Sequence, residues 1–418
     1  MVQLNKDGSA FDATDPHGTR PKDVNEAGDA RFEDSEPMTP PAPKADEPPT
    51  PVLADVWRNL DAWQTADGAD WLEHSPPKRR YLLSTMFKDT RKGAEEPRGV
   101  LPLGRVGMLA AGGGLGKSWA LTQLALSVAT GRDWLDTYTI DEPGPVLLAL
   151  GEEEPEEMRR RFYYAAQLIK LTPTEREAAR RNLWLLPLVG KPVALMHSVE
   201  EIRNQGAPLG PLDYATDFYR ELRQRLDGAG IDWRLLILDP ISRFAGPDVE
   251  IDNAAATRFV QTLERLTDTR GGPTLLVAHH TNKMARIGTT DATAARGSSA
   301  LTDGVRWQAN LDAVPHPDNP KAQHPDLAVL RVVKNNYGWF PPALTLHRVR
   351  DHNGALRAAT MQEIEEYKEA ERKADIARRA EEKKRKKQAG QQVGDNGKAK
   401  TDGDAAEGEP TFTLGADV

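Results

Sequence analysis

The chain has 418 residues, no cysteine and a formal net charge of −8 at pH 7. Without thiols it can form neither disulfides nor thiolate-based zinc ribbons or iron–sulfur centres. No apolar run approaches the length of about 18 residues that a membrane span needs, and the N-terminal residues hold no apolar signal core, so a cytoplasmic protein with no membrane partner is expected.

The acidity is concentrated at the ends. Residues 1–52 are rich in Pro, Asp and Glu and residues 389–418 in Gly, Asp, Gln and Ala, the composition of disordered tails. Between them residues 53–100 read as a lead-in, a short helix and an apolar stretch that packs on the core. Residues 101–360 are long enough for one large α/β domain. Residues 361–388 alternate Glu with Lys and Arg and read as an exposed charged helix with a basic end at 383–387. Acidic tails do not exclude nucleic acid, which responds to local basic patches.

Within 101–360 the apolar run 106–111 leads into glycines and then into a helical pattern from Trp119. Residues 145–151 form a continuous apolar run, as in a strand covered on both faces, followed by a helix over 153–170 and a strand over 183–188. Residues 213–226 read as an amphipathic helix, 235–239 as a third buried strand, 253–269 as a helix and 274–278 as a fourth strand. Residues 328–333 and 343–349 read as a terminal hairpin or edge pair. Strands alternating with helices imply a doubly wound, mostly parallel sheet with its ligand at the strand carboxyl ends.

Those ends carry the chemistry. In Ala111-Gly-Gly-Gly-Leu-Gly-Lys-Ser118, Gly113, Gly114 and Gly116 free the backbone N–H groups to cradle phosphate, and the helix N-terminus adds positive charge. Lys117 would reach the β- and γ-phosphates of ATP and Ser118 would ligate Mg²⁺. Ala111 stands where the motif has its first glycine. Asp239 ends a buried strand and is placed to hold the same Mg²⁺, a helix N-cap being the plain alternative. Glu152 is the candidate general base, while Glu153 and Glu154 read as solvated first-turn acids. His280 and Asn282 follow the fourth strand, as a γ-phosphate sensor or a satisfied strand-end histidine. Lys283, Arg286 and Arg296 lie in a stretch of small residues that reads as a mobile loop, suited either to DNA backbone contact or to a plain surface. Arg306 could serve a neighbouring subunit's nucleotide or be an ordinary strand arginine.

The segments AAGGGLGKS, GEEEP, LLILDPISRF, AHHTNK, ARGSSALTDGVRWQ and VVKNNYG together resemble the hexameric replicative helicases of the plasmid RepA type, within the RecA-like P-loop ATPases. The resemblance covers residues 100–358 and implies a RecA-like fold and ATP hydrolysis with Mg²⁺. It implies Lys117 and Ser118 on phosphate and Mg²⁺, Glu152 as catalytic glutamate, Asp239 as the second Mg²⁺-site residue and His280 as sensor. It further implies Arg306 as an arginine finger given across a ring interface, and Arg161 with Tyr337 as the pair that sandwiches adenine. A homo-hexamer would pass single-stranded DNA through a channel lined by loops near 246–253 and 283–296, in phage or plasmid replication. No primase or zinc-binding module is visible, so priming or loading would fall to a separate partner. A regulatory or recombination ATPase that does not unwind DNA is the alternative, and a nucleotide-binding scaffold without turnover a third reading.

Overall fold

The computed structural model describes residues 75–88, 93–198, 214–246, 248–280 and 299–398, with side chains as far as residue 384. The chain divides into two units, Met1–Lys78 and Arg79–Val418, and of the first only residues 75–78 are described, without regular structure. The expected helix near residue 53 and the tail 1–52 lie outside the described residues.

The second unit opens with an antiparallel pair, β1 (Tyr81–Lys88) and β2 (Glu95–Pro102), not with the plain apolar stretch expected there. The lead-in still packs on the core, because Leu82 and Leu83 of β1 are fully buried. Strand β3 (Val106–Ala111) runs into the glycine loop and helix α1 (Lys117–Thr130). The short β4 (Thr139–Ile140) pairs with β1 and completes a small sheet of order β2-β1-β4. Nearly every residue of α1 is buried, since this helix is apolar on all sides.

Strand β5 (Val146–Leu150) leads to α2 (Pro155–Leu168) and α3 (Pro173–Asn182), the latter closed by a reciprocal Thr172–Glu175 capping box. Next come β6 (Leu183–Pro187), α4 (Asp217–Gly228), β7 (Leu235–Asp239), the single turn α5 (Ile241–Phe244), α6 (Asn253–Thr267) and β8 (Thr274–His280). The chain ends with α7 (Ser299–Gly304), β9 (Trp307–Pro315), β10 (Gln323–Asn335), β11 (Leu344–Val349), β12 (Ala355–Ala358) and α8 (Met361–Lys398).

Nine strands form the central sheet in the order β12-β11-β10-β9-β3-β8-β7-β5-β6. From β9 to β6 every neighbour is parallel, and β10, β11 and β12 are antiparallel to the strand before them. This is the doubly wound, RecA-like α/β arrangement expected. One apolar cluster, around α1, α2 and the small sheet, covers one face; a second, around α4 and α6, covers the other. No described helix is long and apolar enough to cross a membrane.

Strand β9 had no counterpart in the sequence reading. Its inward positions include Gln308 and Asn310, both fully buried, so the apolar pattern that marks a covered strand is broken. The helix expected over 361–388 continues to Lys398, and its first turn is fastened to the sheet. Thr360 and Glu363 form a capping box, and the Glu363 carboxylate also takes Arg357 at 2.6 Å and the His347 ring.

Under α8 lies an apolar cavity of about 370 Å³ that contains one awkward pair, Asp312 of β9 and Arg331 of β10. They stand 3.9 Å apart, and Asp312 Oδ2 and Arg331 Nε have no hydrogen-bond partner among the described residues. Burial pushes the Asp312 carboxyl up to about 6, against the pull of Arg331. An unfolded aspartate ionises near the ordinary 3.8, so the folded state bears a penalty that begins there and is complete above about pH 6. Asp312→Asn therefore changes stability little at pH 4 and raises it at pH 8, by up to roughly 3 kcal/mol, read as a shift in the urea midpoint.

Candidate active site

The carboxyl ends of β3, β5, β7 and β8 converge on a cleft of about 240 Å³. Its walls include the glycine loop, Lys117, Ser118, Glu152, Arg161, Asp239 and His280, so six of the side chains named from sequence meet in one place. Gly114 and Gly116 have φ of 78° and 98°, the left-handed region that disfavours a Cβ. Ala111, at the motif's first glycine position, is the last residue of β3, and the strand conformation accepts its methyl group. The substitution therefore leaves the loop geometry intact.

Lys117 is the N-terminal residue of α1, and its Nζ lies 3.1 Å from Asp239 Oδ1 with both side chains more than nine-tenths buried. Ser118 Oγ donates to Asp239 Oδ2 at 2.8 Å. One carboxylate thus neutralises the lysine and orients the hydroxyl. The Ser118 hydroxyl and the Asp239 carboxylate are hard oxygen donors at one spot, which suits Mg²⁺. Among the described residues no cluster of three or more His, Cys, Asp or Glu could hold a metal by itself, so such an ion would also need phosphate oxygens or water.

Glu152 follows β5 and is half-exposed, and its Oε1 accepts from Arg243 Nε at 3.3 Å. Glu153 departs from the expectation of a solvated first-turn acid. It lines the cleft and pairs with Arg161 at 2.8 Å, and burial pushes its carboxyl above the ordinary range. Glu154 is the N-cap residue of α2, and the first-turn acids are Glu156 and Glu157. Arg161 also bonds Glu157 at 3.2 Å, lies 5.8 Å from the Trp119 ring, and keeps a buried Nη1 with no partner among the described residues.

His280 closes β8 and sits between the two arms of the site, because β8 lies between β3 and β7. Burial, then the Lys117 charge, hold its imidazole below the ordinary 6.5. His279 points to the opposite face, fully buried, with Nδ1 2.7 Å from the His280 carbonyl oxygen.

Two named residues lie elsewhere. The Arg306 N–H bonds the Val106 carbonyl at 2.9 Å, at the start of β3. At about 3.3 Å per residue, the six residues of β3 separate Arg306 from its own glycine loop by roughly 17 Å. Tyr337 follows β10 at the same edge, with the Arg79 guanidinium 4.0 Å from its ring centroid. Arg161 and Tyr337 of one subunit therefore stand at opposite ends of the sheet and do not form a sandwich within it. Asn282, Lys283, Arg286 and Arg296 lie outside the described residues.

Sequence reasoning missed Trp119 and Arg348, which also line the cleft. Arg348 is carried by β11, more than two hundred residues from the loop it faces, and no local pattern marks it. A family model described as an AAA domain matches residues 65–286, more than half of the chain. The chain belongs to this family, and its domain is of the P-loop ATPase kind.

Two outcomes follow from the buried charges. Asp239→Ala strands Lys117 and lowers the stability of the nucleotide-free protein by about 3–5 kcal/mol, whereas Glu152→Gln, at an exposed pair, changes it by about 0.5 kcal/mol or less in thermal melts. NMR titration of the nucleotide-free protein is expected to place the His280 ring below the ordinary 6.5.

Proposed function

We propose that this AAA-domain ATPase is an ATP-dependent DNA helicase or translocase of the RepA type that works as a homo-hexameric ring, in which each site is completed by the next copy. The observation that carries this reading is the separation of Arg306 from its own cleft by the length of β3. An arginine at the far edge of the sheet cannot serve its own nucleotide, but it is available to the next protomer.

In the cleft the backbone N–H groups of the glycine loop receive the β-phosphate, and Lys117 exchanges Asp239 for phosphate oxygens. Ser118 and Asp239, together with the nucleotide, would hold Mg²⁺, which would supply neutralisation of charge on the phosphate oxygens. Glu152, released from Arg243, orients a water and takes its proton as the oxygen attacks the γ-phosphorus. The bond from that phosphorus to the bridging oxygen breaks, and ADP and phosphate leave. His280 hydrogen-bonds the γ-phosphate and lies three residues before Lys283, which opens the segment with Arg286 and Arg296 to which the single-stranded DNA role is assigned. Tyr337, at the same edge as Arg306, would meet the adenine of the neighbour's Arg161 site by the same logic. Replication of a phage or plasmid, with a separate primase or loader, is the setting this activity fits.

Glu152→Gln reduces ATP turnover at least about 100-fold while nucleotide binding persists. Arg306→Ala is equally slow alone, but mixing it with Glu152→Gln restores part of the turnover, because some interfaces then join an intact Glu152 to an intact Arg306. Recovery of no turnover on mixing excludes action in trans. ATP-dependent displacement of a strand from forked DNA supports the helicase; turnover indifferent to DNA favours the regulatory ATPase.

A further inference from the structure

We infer that the β11–β12 hairpin is a wall of the nucleotide site and that its Arg348 binds the phosphate chain of a nucleoside di- or triphosphate. The inference rests on the cleft being a nucleotide site. It adds a C-terminal element, outside the matched residues 65–286, to that site.

The argument begins with charge. Among the described residues three permanent cations line the cleft: Lys117, Arg161 and Arg348. Lys117 has Asp239, and Arg161 has Glu153 and Glu157. Arg348 has no carboxylate among the described residues. Its hydrogen-bond partner is a neutral group, the carbonyl of Gly114 in the glycine loop, reached by Nη2 at 2.8 Å. The acid whose charge reaches it, Asp326, is engaged by Arg350 through two hydrogen bonds of 2.7 Å. Partial burial without a counter-charge lowers the Arg348 pKa from its ordinary value. A guanidinium placed this way gains from an anion, and its fork can keep the Gly114 carbonyl while another N–H takes a phosphate oxygen.

The hairpin is also held at the loop rather than lying near it by chance. Strand alternation puts Leu346 and Arg348 on the face toward α1, and Thr345 and His347 on the face toward α8. Leu356 of β12 lies against the loop, where a Cβ on Gly116 would come within 3.3 Å of it and 3.7 Å of Arg348 Nη2. Gln123 of α1, buried, donates to the Leu356 carbonyl at 2.7 Å and accepts from the Leu356 N–H at 2.9 Å. The helix that begins with Lys117 and Ser118 therefore holds β12 by two opposed hydrogen bonds at Leu356, and Arg348 of β11 is the residue paired with Leu356 across the hairpin.

Isothermal titration of the full-length protein with ADP, a non-hydrolysable ATP analogue and adenosine tests this. Arg348→Ala is expected to weaken ADP and analogue binding at least tenfold, leave adenosine binding unchanged and raise KM for ATP in proportion, with the melting temperature retained. Arg348→Lys recovers a large part of the affinity. Gln123→Leu, which touches no nucleotide, weakens ADP binding several-fold by loosening the hairpin. Unchanged ADP affinity in Arg348→Ala overturns the inference, as does an equal loss for adenosine, or a fall in kcat with KM unmoved. A wild-type protein that binds neither ADP nor the analogue overturns the nucleotide reading of the cleft itself.

Discussion

A lysine ammonium buried to more than nine-tenths must have an anion beside it, and the cleft is organised around that requirement. In the structure that anion is Asp239, which also accepts from Ser118. The two carboxylate oxygens thereby hold the first two residues of α1 in place. A phosphate chain brings the same charge to the same lysine, so substrate replaces one ion pair with another and leaves no bare buried charge. The strand order is what makes the pair possible. Lys117 follows β3, Asp239 ends β7, and β8 runs between them and delivers His280 into the gap.

The same sheet separates functions by its two ends. Groups that can handle phosphate gather at the carboxyl ends of the parallel strands, whereas Arg306 and Tyr337 sit at the opposite edge. A parallel sheet enforces this, because residues just before and just after a strand are a full strand length apart. In the proposed ring one protomer offers a cleft and its neighbour offers an arginine edge, a head-to-tail contact of the kind that closes into rings. The antiparallel strands β10 to β12 have a different consequence. By reversing direction they bring a late part of the chain back to the glycine loop, which parallel crossovers alone would not do at that position. The return seats Arg348 on the Gly114 carbonyl and leads directly into α8.

Much of this was legible in the residues themselves. The runs at 106–111, 183–188 and 235–239 announced strands because they are apolar and bounded by turns or helical patterns, and the strand–glycine–helix motif located the cleft. Glu152, Asp239 and His280 could be named because parallel strands put their last residues at one end. Three features resisted. Strand β9 hid behind buried Gln308 and Asn310. Glu153 read as a solvated first-turn acid, yet it precedes α2 and turns inward to Arg161. Arg161 and Tyr337 were named as one pair, but no local pattern tells that they stand at opposite ends of the sheet within one copy.

Local pattern alone determined the fold class, the phosphate loop and the acids and histidine at the strand ends, because periodicity and backbone sterics act over a few residues. Tertiary structure decided which carboxylate neutralises which cation, which cleft arginine has none among the described residues, and which residues share an edge. Those outcomes depend on strand order and on chain reversals spanning hundreds of residues, and a buried charge finds its partner through space rather than along the chain.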